Sequence, residues 1–114
     1  MSDTLATDYI DSLVQTIGDD YANGTIFGTN EDTGEELTAY DWLEDVLDIQ
    51  YIVSSDREYL GARLLLTYGG PNTWLDTKAG TLTVYWGSDT ATRHLRDTFT
   101  DALDEALAEL WSIN

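Results

Sequence analysis

Carboxylates are concentrated towards the two ends of this sequence, and this restricts how the chain can fold. Residues 1–48 contain nine Asp and four Glu but no Lys or Arg, residues 49–88 contain three acids and three bases, and residues 89–114 contain six acids and two bases. The three segments therefore carry charges of −13, 0 and −4, out of a net charge of −17. This partition predicts acidic surfaces attached to a neutral part of the fold, because a general solvation device would spread charge over all segments.

Length and composition predict one folded domain. The chain has 114 residues, enough for one hydrophobic core and short for two, so residues 1–114 are expected to form a single domain. Apolar residues make up 42% of the chain, which favours folding despite the acidity. The absence of Cys excludes disulfides, thiolate zinc sites and thiol nucleophiles. No long apolar run or positively charged leader is present, so we expect a cytoplasmic protein that does not enter membranes.

Apolar spacing predicts helices towards both ends of the chain. Residues 3–17 place aliphatic side chains three and four apart, and Gly18 is expected to end that helix. Thr38 and Asp41 form a capping-box pattern, which predicts a second helix running to about Asp48. Between these helices the chain is expected to be mostly loop, with a short strand at residues 25–27 as one option. A long last helix is predicted over about residues 89–111.

The middle of the chain is rich in β-branched and aromatic residues, which favour strands. Strands are predicted at residues 49–54, 59–68, 73–76 and 81–86, separated by turns at 55–57, 69–72 and 78–80. Together with the helices, these elements predict an α+β domain. Its expected architecture is an antiparallel three- to four-stranded β-meander flanked by two N-terminal helices and one long C-terminal helix.

Two carboxylate stripes follow from these helices. On the second helix the stripe would comprise Asp41, Glu44, Asp45 and Asp48, and on the last helix Asp97, Asp101, Asp104, Glu105 and Glu109. Residues four apart on a helix are separated by about 6 Å along its axis, which is comparable with the separation of neighbouring phosphates on a nucleic-acid strand. The stripes therefore indicate a surface that a basic nucleic-acid-binding protein would accept in place of DNA. Direct binding to nucleic acid or to an anionic membrane is excluded by the same charge.

Three other interpretations of the composition remain open. The stripes are also what ordinary solvated helix faces present, and the excess of Asp over Glu, 15 to 7, is typical of adaptation to high salt. The aromatic residues favour a third reading, in which the β-sheet is an interaction surface that binds a partner or pairs two copies into a homodimer. In that case exposed aromatics such as Trp74 or Trp86 would matter more than the acids.

The sequence gives little support for a catalytic site or a metal site. His94, predicted to lie at the start of a helix, has no nucleophile near it in sequence. Residues 30–36 are acidic but do not match the EF-hand pattern, in which oxygen ligands alternate before the Gly. No Gly-rich phosphate loop precedes a helix. We therefore expect a non-enzymatic protein without a cofactor or a metal ion.

Four segments of the chain also resemble those of a known group of proteins. Residues 40–48, 59–63, 69–74 and 85–87, which read YDWLEDVLD, YLGAR, GGPNTW and YWG, resemble small acidic proteins carried by phages and other mobile elements of bacteria. In size, acidity and fold class the chain also resembles the DNA-mimic inhibitors of host defence, the anti-CRISPR and anti-restriction proteins. The resemblance implies a partner such as a CRISPR-Cas or restriction nuclease in the cytoplasm of the bacterial host.

Overall fold

The fold is a β-meander that is preceded in sequence by two helices and followed by a third. The computed structural model describes residues 5–113. In chain order its elements are α1 (Leu5–Ala22), α2 (Ala39–Leu43), β1 (Asp48–Val53), β2 (Tyr59–Thr67), β3 (Asn72–Asp76), β4 (Thr81–Trp86), β5 (Asp89–His94) and α3 (Asp97–Ser112). The α+β class and the antiparallel meander are confirmed, with the strands lying side by side in the order β1-β2-β3-β4-β5. The sheet has five strands, so the predicted number of three to four was too low.

The additional strand, β5, occupies residues that were predicted to begin the last helix. Gly87 adopts a positive φ of 63° in the turn that returns the chain beside β4. Thr90, Ala91 and Thr92 then alternate exposed, buried and exposed, which is the period of a strand with one covered face. His94 consequently ends a strand and pairs with Thr81, instead of lying at a helix start.

The first helix is longer than its sequence pattern predicted. It continues through Gly18 to Ala22, and the chain then turns at Gly24, which has a φ of 87°. The last turn of α1 has a tertiary partner, because the guanidinium of Arg96 lies 3.9 Å from the ring centroid of Tyr21. Residues 3 and 4, the predicted start of this helix, lie outside the described residues. The optional strand at residues 25–27 does not form, and that segment is loop.

The second helix begins as predicted but is much shorter. The Thr38 hydroxyl accepts a hydrogen bond from the backbone N–H of Asp41, and the Asp41 carboxylate accepts one from the Thr38 N–H, so the capping box is confirmed. The helix ends at Leu43, whereas the prediction extended it to Asp48. Continuing it would place further carboxylates at a helix C-terminus, where the helix dipole disfavours negative charge. The chain instead enters β1.

One face of the sheet carries the core. Helix α1 packs on β4 and β5, and α3 packs on β2. Both long helices cover the same face, because Ile10 and Leu103 belong to one buried cluster with Leu64 and Leu82 of the sheet. Phe27 enters between them from the loop after α1, with its ring centroid 5.2 Å from that of Phe99 and 6.2 Å from that of Trp42. The most deeply buried large side chains are Ile10, Leu64, Leu75, Leu82, Leu103, Leu107, Val84 and Thr73.

No helix within residues 5–113 packs over the other face of the sheet, here called the open face. In register across the strands it presents Gln50, Arg63, Asp76, Thr81 and His94 in one row and Asp48, Leu65, Trp74, Thr83 and Thr92 in the next. None of these side chains is buried. Its charged residues within the strands are two acids and one arginine, so the face is close to neutral. The acidity of the chain is therefore carried mainly by its helices and loops, not by this face.

Candidate protein-binding surface

Four of the predicted carboxylates form a regular series on α3. Asp97, Asp101, Glu105 and Glu109 recur every fourth residue and are all exposed; this set is called the α3 row. At a rise of 1.5 Å per residue the row extends about 18 Å along the helix axis, in steps of about 6 Å. Because successive members rotate by about 40°, the row winds gently around the outer side of the helix. The structure thus keeps most of the predicted second stripe together.

Asp104, the remaining predicted member of that stripe, has an internal role. It is half-buried and accepts a hydrogen bond of 2.6 Å from the Tyr59 hydroxyl of β2. The bond ties α3 to the sheet at residues 45 positions apart in sequence. Burial, followed in size by this hydrogen bond, raises the pKa of the Tyr59 phenol well above its usual value. Asp104 therefore differs from the four members of the α3 row, which are all exposed.

The raised pKa of Tyr59 predicts a stability change at alkaline pH. The folded protein holds the phenolic proton above pH 10, where an unfolded chain releases it, so stability is fully present below about pH 10 and falls as the pH rises further. We expect Tyr59→Phe to remove part of this alkaline loss. Urea midpoints measured between about pH 8 and pH 11.5 for both proteins provide the check. Parallel curves for the two proteins would contradict the assigned role of Tyr59.

The predicted stripe on the second helix is not formed. Asp41 is engaged in the capping box, Glu44 is the C-cap of α2, and Asp45 lies in the turn that follows. Asp48 is the first residue of β1, where it pairs with Leu65 and belongs to the open face. The stripe required a helix through residue 48, so ending α2 at Leu43 separates its members. These four carboxylates do not present a single regular array.

A groove separates α3 from the segment that leads into α2. Its volume is about 620 Å³, and its lining includes Glu36, Tyr40, Glu105 and Glu109. The Tyr40 hydroxyl donates a hydrogen bond to the Glu109 carboxylate and so joins the two walls. Glu36 and Tyr40 were not among the predicted site residues. They meet α3 only in the folded chain, since 69 positions separate Tyr40 from Glu109, and no local pattern signals such a contact.

Over the described residues, few of the acidic side chains pair with an arginine. Within residues 5–113 the one salt bridge joins Arg93 to Asp11, with 2.9 Å between Nε and Oδ1. The other three arginines stack on aromatic rings: Arg57 on Trp111, Arg63 on Trp74, and Arg96 on Tyr21. The α3 row forms no ion pair within the described part of the chain. Its carboxylates are thus available to attract an external cationic surface.

The aromatic residues divide between the two faces of the sheet. Trp74 lies on the open face beneath Arg63, with 4.4 Å between the guanidinium carbon and the ring centroid. Tyr85 is also on this face and is 46% exposed. Trp74 and Trp86 were both predicted to be exposed, but both are part-buried. Trp86 packs against Tyr9 of α1 with the rings nearly perpendicular and their centroids 5.6 Å apart. Any aromatic contact surface on the sheet is therefore built around Trp74 and Tyr85.

The acidic loop at residues 30–36 is organised by its own hydrogen bonds. The Asn30 side-chain oxygen accepts hydrogen bonds from the N–H groups of Asp32 and Thr33, at 2.7 and 3.0 Å.

Across the segment that the structure describes, no group of three or more His, Asp or Glu side chains is placed to hold a metal ion. None of its helices is both long and apolar enough to cross a membrane. Comparison of the chain with protein-family models, curated proteins and solved structures found no match.

Proposed function

We propose that this chain is a non-enzymatic acidic inhibitor that binds the positively charged nucleic-acid channel of a bacterial defence nuclease, such as a CRISPR-Cas or restriction enzyme, in the host cytoplasm. The α3 row carries the proposal. Its four carboxylates are exposed, evenly spaced and free of ion pairs within residues 5–113. They lie on the helical side of the molecule, opposite a sheet face that is close to neutral.

The physical basis is the way such channels recognise their substrate. Proteins that follow a nucleic-acid backbone contact mainly phosphates, which fix register and orientation without reading sequence. A series of carboxylates about 6 Å apart along a helix offers comparable charges to the same lysines and arginines. Because α3 is packed on the sheet, its backbone loses little conformational entropy on binding. The inhibitor would therefore compete with DNA for the channel.

The test is protection of phage from defence systems, with two variants of equal charge. The chain is expressed in bacterial strains that each carry one CRISPR-Cas or restriction system, and phage plating efficiency is measured. We expect plating to be restored in at least one strain. Restoration should be lost in Asp101→Asn/Glu105→Gln/Glu109→Gln, since these changes neutralise three members of the row without altering the first turn of α3.

The matched control neutralises three exposed carboxylates away from the row, as Asp19→Asn/Asp56→Asn/Glu58→Gln. Both variants have the same formal net charge. If only total charge mattered, the two variants would therefore lose phage protection to the same extent. We expect the control to protect phage as the parent chain does. If plating stayed low in every strain, or if the two variants behaved alike, the row would not be the inhibitory surface.

A second candidate function is favoured by the open face. Trp74, Leu65 and Tyr85 lie on a neutral surface that no described helix covers, so this face suits a protein-interaction module or a homodimer interface. The same plating assay separates the two candidates. Trp74→Ala would abolish activity if the open face binds the partner, whereas the α3 row triple variant would then be active.

A further inference from the structure

The groove beside α3 combines an apolar floor with an acidic rim. The floor is formed by Ile26, Phe27, Leu37, Ala102 and Ala106. Glu36 stands on one wall, and Glu105 and Glu109 stand on the other. The volume of about 620 Å³ falls within the range of about 300–1,000 Å³ that is usual for ligand pockets.

The open space has a sequence cause. Ala102 and Ala106 are one turn apart on the side of α3 that faces the groove, and their methyl groups leave room that larger side chains would fill. Tyr40 also lines the groove and is 42% exposed. An occupant would therefore meet methyl and aliphatic groups, carboxylates and an aromatic ring.

We propose that this groove receives an arginine side chain from a basic segment of the protein partner. The inference rests on the proposed function, because it names the chemistry by which the nuclease would be held. The methylene stem of the arginine would pack on Ala102 and Ala106, as such stems commonly do on apolar surfaces. Its guanidinium would then bind Glu105 or Glu109.

Arginine fits this groove better than lysine does. A planar guanidinium can form two parallel hydrogen bonds with one carboxylate and can also stack on a tyrosine ring. The more strongly hydrated ammonium of lysine acts as a point charge and gains less from an apolar floor. Anionic occupants, such as a phosphate or a nucleic acid, are disfavoured by the three glutamates of the rim.

The test uses the ¹⁵N-labelled full chain and two synthetic peptides as probes, Ac-Gly-Arg-Leu-Arg-Gly-NH₂ and its counterpart with lysine in place of both arginines. We expect the arginine peptide to shift the backbone amide signals of residues 36–40 and 102–109 during an NMR titration. It should bind about threefold more tightly than the lysine peptide, because the planar, weakly hydrated guanidinium stacks on an aromatic ring and pairs with a carboxylate better than an ammonium does. Shifts spread evenly over α1 and α3, or equal affinities, would overturn the inference.

Two variants identify the groove itself. Glu105→Gln/Glu109→Gln should weaken the arginine peptide about tenfold, whereas the control Asp19→Asn/Glu58→Gln should change its affinity little. Ala102→Leu fills the groove and keeps every charge, so it should abolish the localised shifts. If Ala102→Leu still binds the peptide normally, the groove is not the site. That result would leave the phage-plating test of the α3 row untouched, because Ala102→Leu retains the row.

Discussion

Replacing Phe27 with alanine is expected to lower the free energy of unfolding by about 3–5 kcal/mol, the usual cost of removing a large buried aromatic side chain. Phe27 is only 8% exposed, and its ring lies close to those of Phe99 of α3 and Trp42 of α2. Trp42 and Phe99 also meet edge to face, with centroids 5.4 Å apart. Removing the ring would leave a cavity between the loop that follows α1, helices α2 and α3, and the sheet.

Urea denaturation followed by tryptophan fluorescence measures this loss. We expect a lower midpoint with little change in the dependence on urea concentration, since the surface exposed on unfolding stays similar. Tyr68→Ala is the matched control, because Tyr68 is an aromatic residue that is 76% exposed, and its replacement should change stability by no more than about 0.5 kcal/mol. Equal effects of the two substitutions would show that Phe27 is not part of the core.

The affinity of the chain for its nuclease partner is expected to fall by up to about 10²-fold between 50 and 200 mM NaCl. The upper bound treats each of the four row carboxylates as a DNA phosphate that exchanges counterions on binding. Electrostatic attraction over longer distances weakens at the same time, because the screening length shortens from about 10 Å at 0.1 M salt to about 3 Å at 1 M. Biolayer interferometry with the purified nuclease at several salt concentrations measures the slope.

The α3 row triple variant provides the internal comparison. With three row carboxylates neutralised, its remaining binding should depend much less steeply on salt than that of the parent chain. The control Asp19→Asn/Asp56→Asn/Glu58→Gln should retain nearly the parental slope. Binding that was equally tight at low and high salt would contradict the DNA-mimic proposal and would favour the open face around Trp74.

Local chemistry made several elements predictable. The boundaries of β4 agree with the predicted strand at residues 81–86, because β-branched and aromatic residues occupy five of its six positions and turn signals flank it. The capping box at Thr38 and Asp41 was predictable for a similar reason, since both hydrogen bonds join residues three apart. Where the required contacts lay within a few residues, the sequence pattern was sufficient.

Longer-range contacts decided the elements that were predicted wrongly. The segment at residues 89–94 forms a strand because β4 supplies an edge with which it pairs. The segment at residues 44–48 leaves its helix because the chain must enter β1, where the N–H of Leu47 already bonds to the carbonyl of Leu65 on β2. Neither pairing is visible in the local spacing of apolar and acidic residues.

The sequence by itself determined the charge partition of −13, 0 and −4 and the four-residue spacing of carboxylates from Asp97 to Glu109. Both depend only on residue order and on the period of a helix. Tertiary structure decided which carboxylates face outwards: it turned Asp104 inwards to Tyr59, divided the stripe at residues 41–48, and brought Tyr40 to Glu109. The physical reason is that exposure and partnership arise from packing between distant segments, whereas charge and helical spacing are properties of each segment alone.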